Sequence, residues 1–423
     1  MPVQGAARPL ALFGAPPAFA EPLHVGRPNI GDRAALLRRF EDILDSRWLT
    51  NRGRQVQEFE QRLADRLGVK HCIAMCNATI ALEIVTRALG MKDEVIVPSM
   101  TFIATAHALQ WQEITPVFCD IDANTHTLDV KRVEEMITPR TSGIVAVHVW
   151  GRPCDVDGLA DIARRHELKL VFDAAHAIGC SHRGRPIGGF GDAEVFSFHA
   201  TKVMNSFEGG AVSTNDDLLA EKVRLMQNFG FAGLDNAIHI GTNGKMSEVS
   251  AAMGIVSLDS FDDFVACNKR NYHQYLDELG GLPGFRFARY DEREHCNYQY
   301  IVVQVDAEQA GLSRDELISV LKAENVLARR YFWPGCHRMQ PYRAYYPHAH
   351  LLLPNTERVA AQLLILPTGS TLGVTEVATI CGIIRQALAQ ADSIRQHLAS
   401  AEPLPQRDRK STRLNSSHEW ISR

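Results

Sequence analysis

A regular alternation of short, wholly apolar runs with stretches of helical period constrains this chain more than any other feature. Val95–Val97, Val117–Asp120, Gly143–Val149, Leu168–Phe172 and Val195–Phe198 read as buried strands. Between them, Ile80–Leu89 and Val156–His166 place apolar side chains at helical spacing. Asp216–Phe229 continues the series, with Leu219, Val223 and Met226 on one side. Strands buried on both faces lack a polar alternation, and they belong to parallel sheets covered by helices on both sides. The pattern therefore predicts an α/β domain built on a mostly parallel sheet. Two amphipathic helices precede it. In the second, Val56, Phe59, Leu63 and Leu67 share a face before Gly68 ends the helix.

Beyond about residue 265 the pattern changes. Tyr298–Val305 reads as a strand, Ser313–Glu324 as a helix opened by a serine cap, and Leu327–Phe332 as a second strand. A long helix is expected from about Thr375 to His397. The expected organisation is a loosely held arm over 1–30, a large domain over 31–265, and a smaller C-terminal α+β domain over 266–400. A disordered tail follows over 401–423, and its segment Ser411–Ser417 reads like vector-derived sequence.

Composition narrows the function classes. A 423-residue chain with 45% hydrophobic and 22% charged residues is that of a soluble globular protein. A net charge of -4 with scattered basic residues argues against nucleic acid as a partner. The nine cysteines read as reduced thiols of a cytoplasmic protein. Cys72 and Cys76 have no second pair at zinc spacing, so no metal is expected. No apolar run reaches the ~20 residues that cross a bilayer, and the N-terminus lacks the pattern of a signal peptide.

The chemistry concentrates at two strand ends. Leu168–Phe172 runs into Asp173-Ala174-Ala175-His176, and Val195–Phe198 runs into His199-Ala200-Thr201-Lys202. Open parallel sheets bind ligands at the carboxyl ends of their strands. An acid and a lysine there suit pyridoxal phosphate: the amine condenses with the cofactor aldehyde, and the acid keeps the pyridine nitrogen protonated. In isolation the same two residues read more readily as an ordinary ion pair, and the surroundings reverse that preference. Asn77, Ala78 and Thr79 open the helix Ile80–Leu89, whose free amides suit a phosphate, although Asn77 or Thr79 could be a plain cap. Ser197 is a second phosphate donor or a self-satisfied strand serine. Phe102 is a cofactor platform or a core residue.

Taken together, the segments CNAT at 76–79, PSMTFIAT at 98–105, PVFCDID at 116–122, VHVWG at 147–151, FDAAHAIG at 172–179, FSFHATK at 196–202, EGGAVST at 208–214 and GTNGKM at 241–246 resemble the DegT/StrS family of sugar aminotransferases. The resemblance spans roughly residues 25–395. It implies a fold-type I aminotransferase with a mostly parallel seven-stranded sheet flanked by helices and a smaller C-terminal α+β domain. It implies Lys202 as the lysine that carries pyridoxal 5'-phosphate and shuttles the proton. Asp173 would sit against the pyridine nitrogen and His176 near the ring's phenolic oxygen, with Phe102 stacked on the ring. Ala78, Thr79 and Ser197 would hold the phosphate, joined by Asn243 from a neighbouring subunit of a homodimer. L-glutamate and a keto-sugar nucleotide are the implied substrates.

The sequence departs from the family pattern at Ala78, where glycine is usual, and at Lys245, where arginine is common. The loop around Met204–Phe207 looks most like the branch that aminates C4 of dTDP-4-keto-6-deoxyhexoses; amination at C3 and a non-catalytic regulatory protein are the alternatives. Lys202 disfavours the dehydratases of the family, which carry histidine there. Tyr331 and His337 are candidate substrate contacts or packing at the domain seam. Arg329 and Arg330 leave open an amino-acid aminotransferase, which would use an arginine for the substrate carboxylate.

Overall fold

The computed structural model describes residues 8–400. The expected tail from residue 401 lies outside them. A seven-stranded sheet forms the centre of the large domain. From one edge its strands are His71–Met75, Gly210–Thr214, Ala193–Ser197, Lys169–Asp173, Thr141–Val147, Glu94–Pro98 and Thr115–Cys119. Gly210–Thr214 runs antiparallel to both neighbours, and the remaining pairs are parallel. This is the mostly parallel seven-stranded sheet expected from the sequence.

Gly210–Thr214 does not look like a buried strand, yet all five residues are buried. Its hydroxyls are satisfied inside: Ser213 donates to the Gly188 carbonyl at 2.6 Å and Thr214 to that of Asp192 at 2.8 Å. Apolar layers cover both faces of the sheet. One contains Phe59, Phe172, Phe196 and Phe198, and the other Ile73, Val97, Val171 and Val195. The helix Arg54–Leu67 buries Val56, Phe59, Leu63 and Leu67 as its spacing predicts, and Gly68 closes it at φ 65°. Each of those side chains contributes about 1.5–3 kcal/mol on leaving water.

The smaller domain packs helices, among them Arg314–Ala323 and Val374–Ala389, on an antiparallel sheet of Phe285–Phe287, Ile301–Val305 and Leu363–Leu366. The helix Phe261–Leu279 runs through both domains. Phe261 and Phe264 enter the large core, and Tyr272, Tyr275 and Leu279 enter the small one.

Four expectations are corrected. The strand expected over Gly143–Val149 ends at Val147, because the chain turns at Trp150, whose φ is 64°. Of Leu327–Phe332, only Leu327 is strand, in Val326–Leu327. The chain then turns over 330–335, where Trp333 N–H donates to Arg330 O at 2.6 Å and Gly335 N–H to Phe332 O at 2.7 Å. The long C-terminal helix is two, Val374–Ala389 and Ala391–Ser400, broken at Gln390 so that Ile394 packs into the small core. The N-terminal arm is docked rather than loose from residue 8 onward. Leu10 is buried in the small core, and Leu23–His24 pairs in parallel with Val326–Leu327.

Candidate active site

Parallel strands bring Asp173 and the Lys202 loop to one sheet edge. Asp173 ends its strand beside Val195, and Ala174 N–H donates to Val195 O at 2.8 Å. The neighbouring strand ends at Ser197 and leads into the loop that carries Lys202, whose own N–H bonds His199 O at 2.9 Å.

Asp173 is buried. Its carboxylate accepts from the Thr105 hydroxyl at 2.8 Å and from Ala175 N–H at 3.1 Å. Burial pushes its pKa up, while those two donors and the Lys202 charge pull against the rise. Burial lowers Lys202 from 10.5 to about 8, and Asp173 opposes that fall. The free amine, which condensation with an aldehyde requires, is therefore a larger fraction at neutral pH than for an ordinary lysine.

His176 is buried, and its Nδ1 accepts from Trp150 N–H at 3.2 Å, which leaves the proton on Nε2. Its ring stacks on Trp150 at 6.1 Å and on Phe332 at 5.9 Å. Burial first, then the Lys202 charge, holds its pKa well below the usual value, so it is a neutral donor.

At the helix turn expected to hold phosphate, Asn77 caps the helix Ala78–Ala88 by accepting from Ile80 N–H at 2.8 Å. The cap role thus falls to Asn77, and Ala78 and Thr79 form the first turn. Gly210 presses against this turn: a Cβ there would lie 2.6 Å from the Ala78 nitrogen. Ser197 accepts from His199 N–H at 3.4 Å, a contact that does not use its hydroxyl proton. Phe102 is 59% exposed, which rules out a core role. Asn243 is exposed, and its loop lies against the turn of its own chain, with Cys76 N–H donating to Gly244 O at 2.8 Å. Lys245 donates to Asn228 Oδ1 at 2.7 Å and sits over the Phe229 ring.

The two small-domain candidates separate. Tyr331 is partly exposed, flanked by Phe332, Tyr300 and the Arg329 guanidinium. His337 is buried, with both ring nitrogens engaged: Ser99 Oγ lies 2.6 Å from Nδ1, and Glu357 meets Nε2. It therefore seals the domain seam and has no ring nitrogen left for a substrate. Arg330 pairs with Asp315. Motif reading missed Thr105, which binds Asp173, although it closes the segment at 98–105. Its i, i+4 spacing from Thr101, whose hydroxyl it meets at 3.0 Å, is the signal that was available.

The sequence matches the DegT/DnrJ/EryC1/StrS aminotransferase family over residues 32–385. The chain belongs to that family. Among relatives of this aminotransferase is a dTDP-4-amino-4,6-dideoxy-D-glucose transaminase of Shigella dysenteriae, 37% identical over 86% of this chain and 99% of the relative. A GDP-perosamine synthase of Caulobacter vibrioides is 36% identical over 82% and 94%. Among solved structures, that of DesI in the presence of its TDP-sugar product is 49% identical and covers 92% of this chain and 99% of its own, with a TM-score of 0.89. Fold and family together make the chain a sugar aminotransferase of fold-type I. Among the described residues, no helix is long and apolar enough to cross a membrane.

Proposed function

We propose that this aminotransferase moves the amino group of L-glutamate to C4 of a dTDP-4-keto-6-deoxyhexose, giving a dTDP-4-amino-4,6-dideoxy sugar and 2-oxoglutarate, with pyridoxal 5'-phosphate as cofactor. The observation that carries this reading is the junction of a buried Asp173 with a lysine of lowered pKa at one sheet edge. Support for the sugar comes from the Shigella relative, a transaminase of a dTDP-4-amino sugar, and from DesI, whose structure was solved in the presence of its TDP-sugar product.

The residues fit the cofactor. Pyridoxal phosphate supplies, when bound, the electron sink that acidifies a substrate Cα–H. Asp173 would hold the ring-nitrogen proton, and the positive nitrogen would stabilise the charge of this buried carboxylate. Lys202 would bear the cofactor and, as free amine, carry the proton to and from Cα. His176 would donate from Nε2 to the phenolic oxygen, and Phe102 would cover one face. Ala78, Thr79 and Ser197 would bind the phosphate through helix amides and a hydroxyl. Asn243 of the partner subunit would complete that cradle in a homodimer. Tyr331 would contact the sugar nucleotide. The nine cysteines are free thiols, which supports a reducing, cytoplasmic location.

The test is amine transfer from L-glutamate to dTDP-4-keto-6-deoxyglucose, with the product position read by NMR. A 4-amino product is expected. Lys202→Ala should lose both turnover and the absorbance of the lysine-bound cofactor. Turnover of a 3-keto isomer alone would overturn the C4 assignment.

A further inference from the structure

The short segment ahead of the large domain reaches the lysine loop. It lies before the residues matched by the family, which begin at 32. Gly26, at φ 75°, packs so closely on Thr201 that a Cβ would stand 3.0 Å from the Thr201 Cβ. Asn29 is 4% exposed, and both the nitrogen and the oxygen of its amide are engaged. Its Nδ2 donates to Val203 O at 3.0 Å, and its backbone carbonyl accepts from Asn205 Nδ2 at 2.8 Å. Its Oδ1 accepts from Ser370 N–H at 3.1 Å and from the Ser370 hydroxyl at 2.7 Å. Ser370 lies beyond the small-domain strand Leu363–Leu366, in a loop whose Thr368 hydroxyl bonds Asn268 and Asn271 of the inter-domain helix.

We propose that Asn29 is a positioning residue for Lys202, joining the lysine loop to the small domain. The proposal rests on Lys202 as the cofactor-bearing residue. A lysine side chain is long and freely rotating, so its aim depends on how firmly its backbone is held. Asn29 fixes residues 203 and 205, just past the lysine, from outside the loop. Only an amide fits, because Val203 O needs a donor while Ser370 needs an acceptor. The same joint makes the placement of the small domain felt at the amine.

The test compares the holoenzyme with Asn29→Ala, Asn29→Asp and Ser370→Ala. Three quantities are read: the limiting single-turnover rate with L-glutamate, the pH titration of the lysine-bound cofactor absorbance, and hydrogen exchange of residues 201–206 in cofactor-free protein. Asn29→Ala and Asn29→Asp should slow the limiting rate roughly tenfold to hundredfold, the scale of a misplaced reacting group. The half-saturating glutamate concentration should change less than the rate. The titration midpoint should move, and exchange should quicken at 201–206 but not along Lys169–Asp173. Ser370→Ala, which keeps the backbone bond, should give a smaller loss of the same kind. A folded Asn29→Asp or Asn29→Ala with native limiting rate and titration overturns the proposal, however much stability it has lost. Asn29→Asp keeps the test open if Asn29→Ala fails to fold. A cofactor band that survives Lys202→Ala would overturn the lysine assignment instead, and the two failures are distinct.

Discussion

Lys202 and Asp173 are each displaced toward the neutral form by burial, and each partly restores the other's charge. The unfolded chain keeps the lysine proton up to the ordinary 10.5, the native protein only to about 8. Lys202 therefore costs stability below pH 8, and the cost is relieved as pH rises from 8 to 10.5. The same shift has a kinetic consequence. Capture of pyridoxal phosphate by cofactor-free protein needs the free amine, so its rate should climb with pH and level off just above about 8. Stopped-flow absorbance would follow it, and a rate still climbing steeply at pH 10 would mean an ordinary exposed lysine. The Asp–Lys pair was legible because Asp173 ends one apolar strand and Lys202 lies in the loop that follows another. Thr105 was not given a role, since a threonine beginning a helix has many local uses and only the fold brings its hydroxyl to Asp173.

Among the elements, the N-terminal arm departs furthest from its sequence expectation. Proline, glycine and alanine suggest a free strand of chain, yet a single carboxylate gathers it. Glu324 caps the helix Arg314–Ala323, and its side chain is fully buried. It accepts from Ala11 N–H and Ala18 N–H, both at 2.7 Å, and pairs with Arg8. An acid at a helix C-terminus opposes the helix dipole, so its presence there marks an outside partner. Glu324→Ala should lower stability by about 2–5 kcal/mol, since charge-assisted hydrogen bonds contribute ~1.5–3 kcal/mol each. The arm should then become sensitive to limited proteolysis between residues 8 and 24 while the large-domain core stays protected. An arm equally resistant in the variant would show that Leu10 and the Leu23–His24 pairing suffice. The seam at Ser99, His337 and Glu357 follows the same rule: a histidine beside a turn suits either substrate contact or seam packing, and packing engages both its nitrogens.

At the scale of the whole molecule, the exposed loop around Asn243 lies against the turn before Ala78 of its own chain and presents apolar neighbours outward. Phe229, Leu234, Ile238 and Ile240 are exposed, with Leu234 at 95%. Such a patch marks an interaction surface, and the proposed homodimer would cover it. If sites are shared, Lys202→Ala chains mixed with Asn243→Ala chains under subunit exchange should partly recover activity and cofactor retention. A mixed dimer would then hold one site with both lesions and one with neither. Proven exchange without recovery would place Asn243 outside the partner's site.

The sequence alone determined the α/β class, the mostly parallel sheet, the Asp173–Lys202 pair and the helix turn at Ala78. Each rests on information local in the chain: continuous apolar runs, helical spacing, an acid at the end of one strand and a lysine in the loop after another. Tertiary structure alone decided that the arm is docked, that Asn29 grips the lysine loop, that Thr105 holds Asp173 and that His337 belongs to the seam. Those outcomes depend on hydrogen bonds between residues far apart in the chain, Asn29 with Ser370 and Ser99 with His337. A polar side chain offers donors and acceptors to any partner, and only the folded chain settles which one comes within 3 Å.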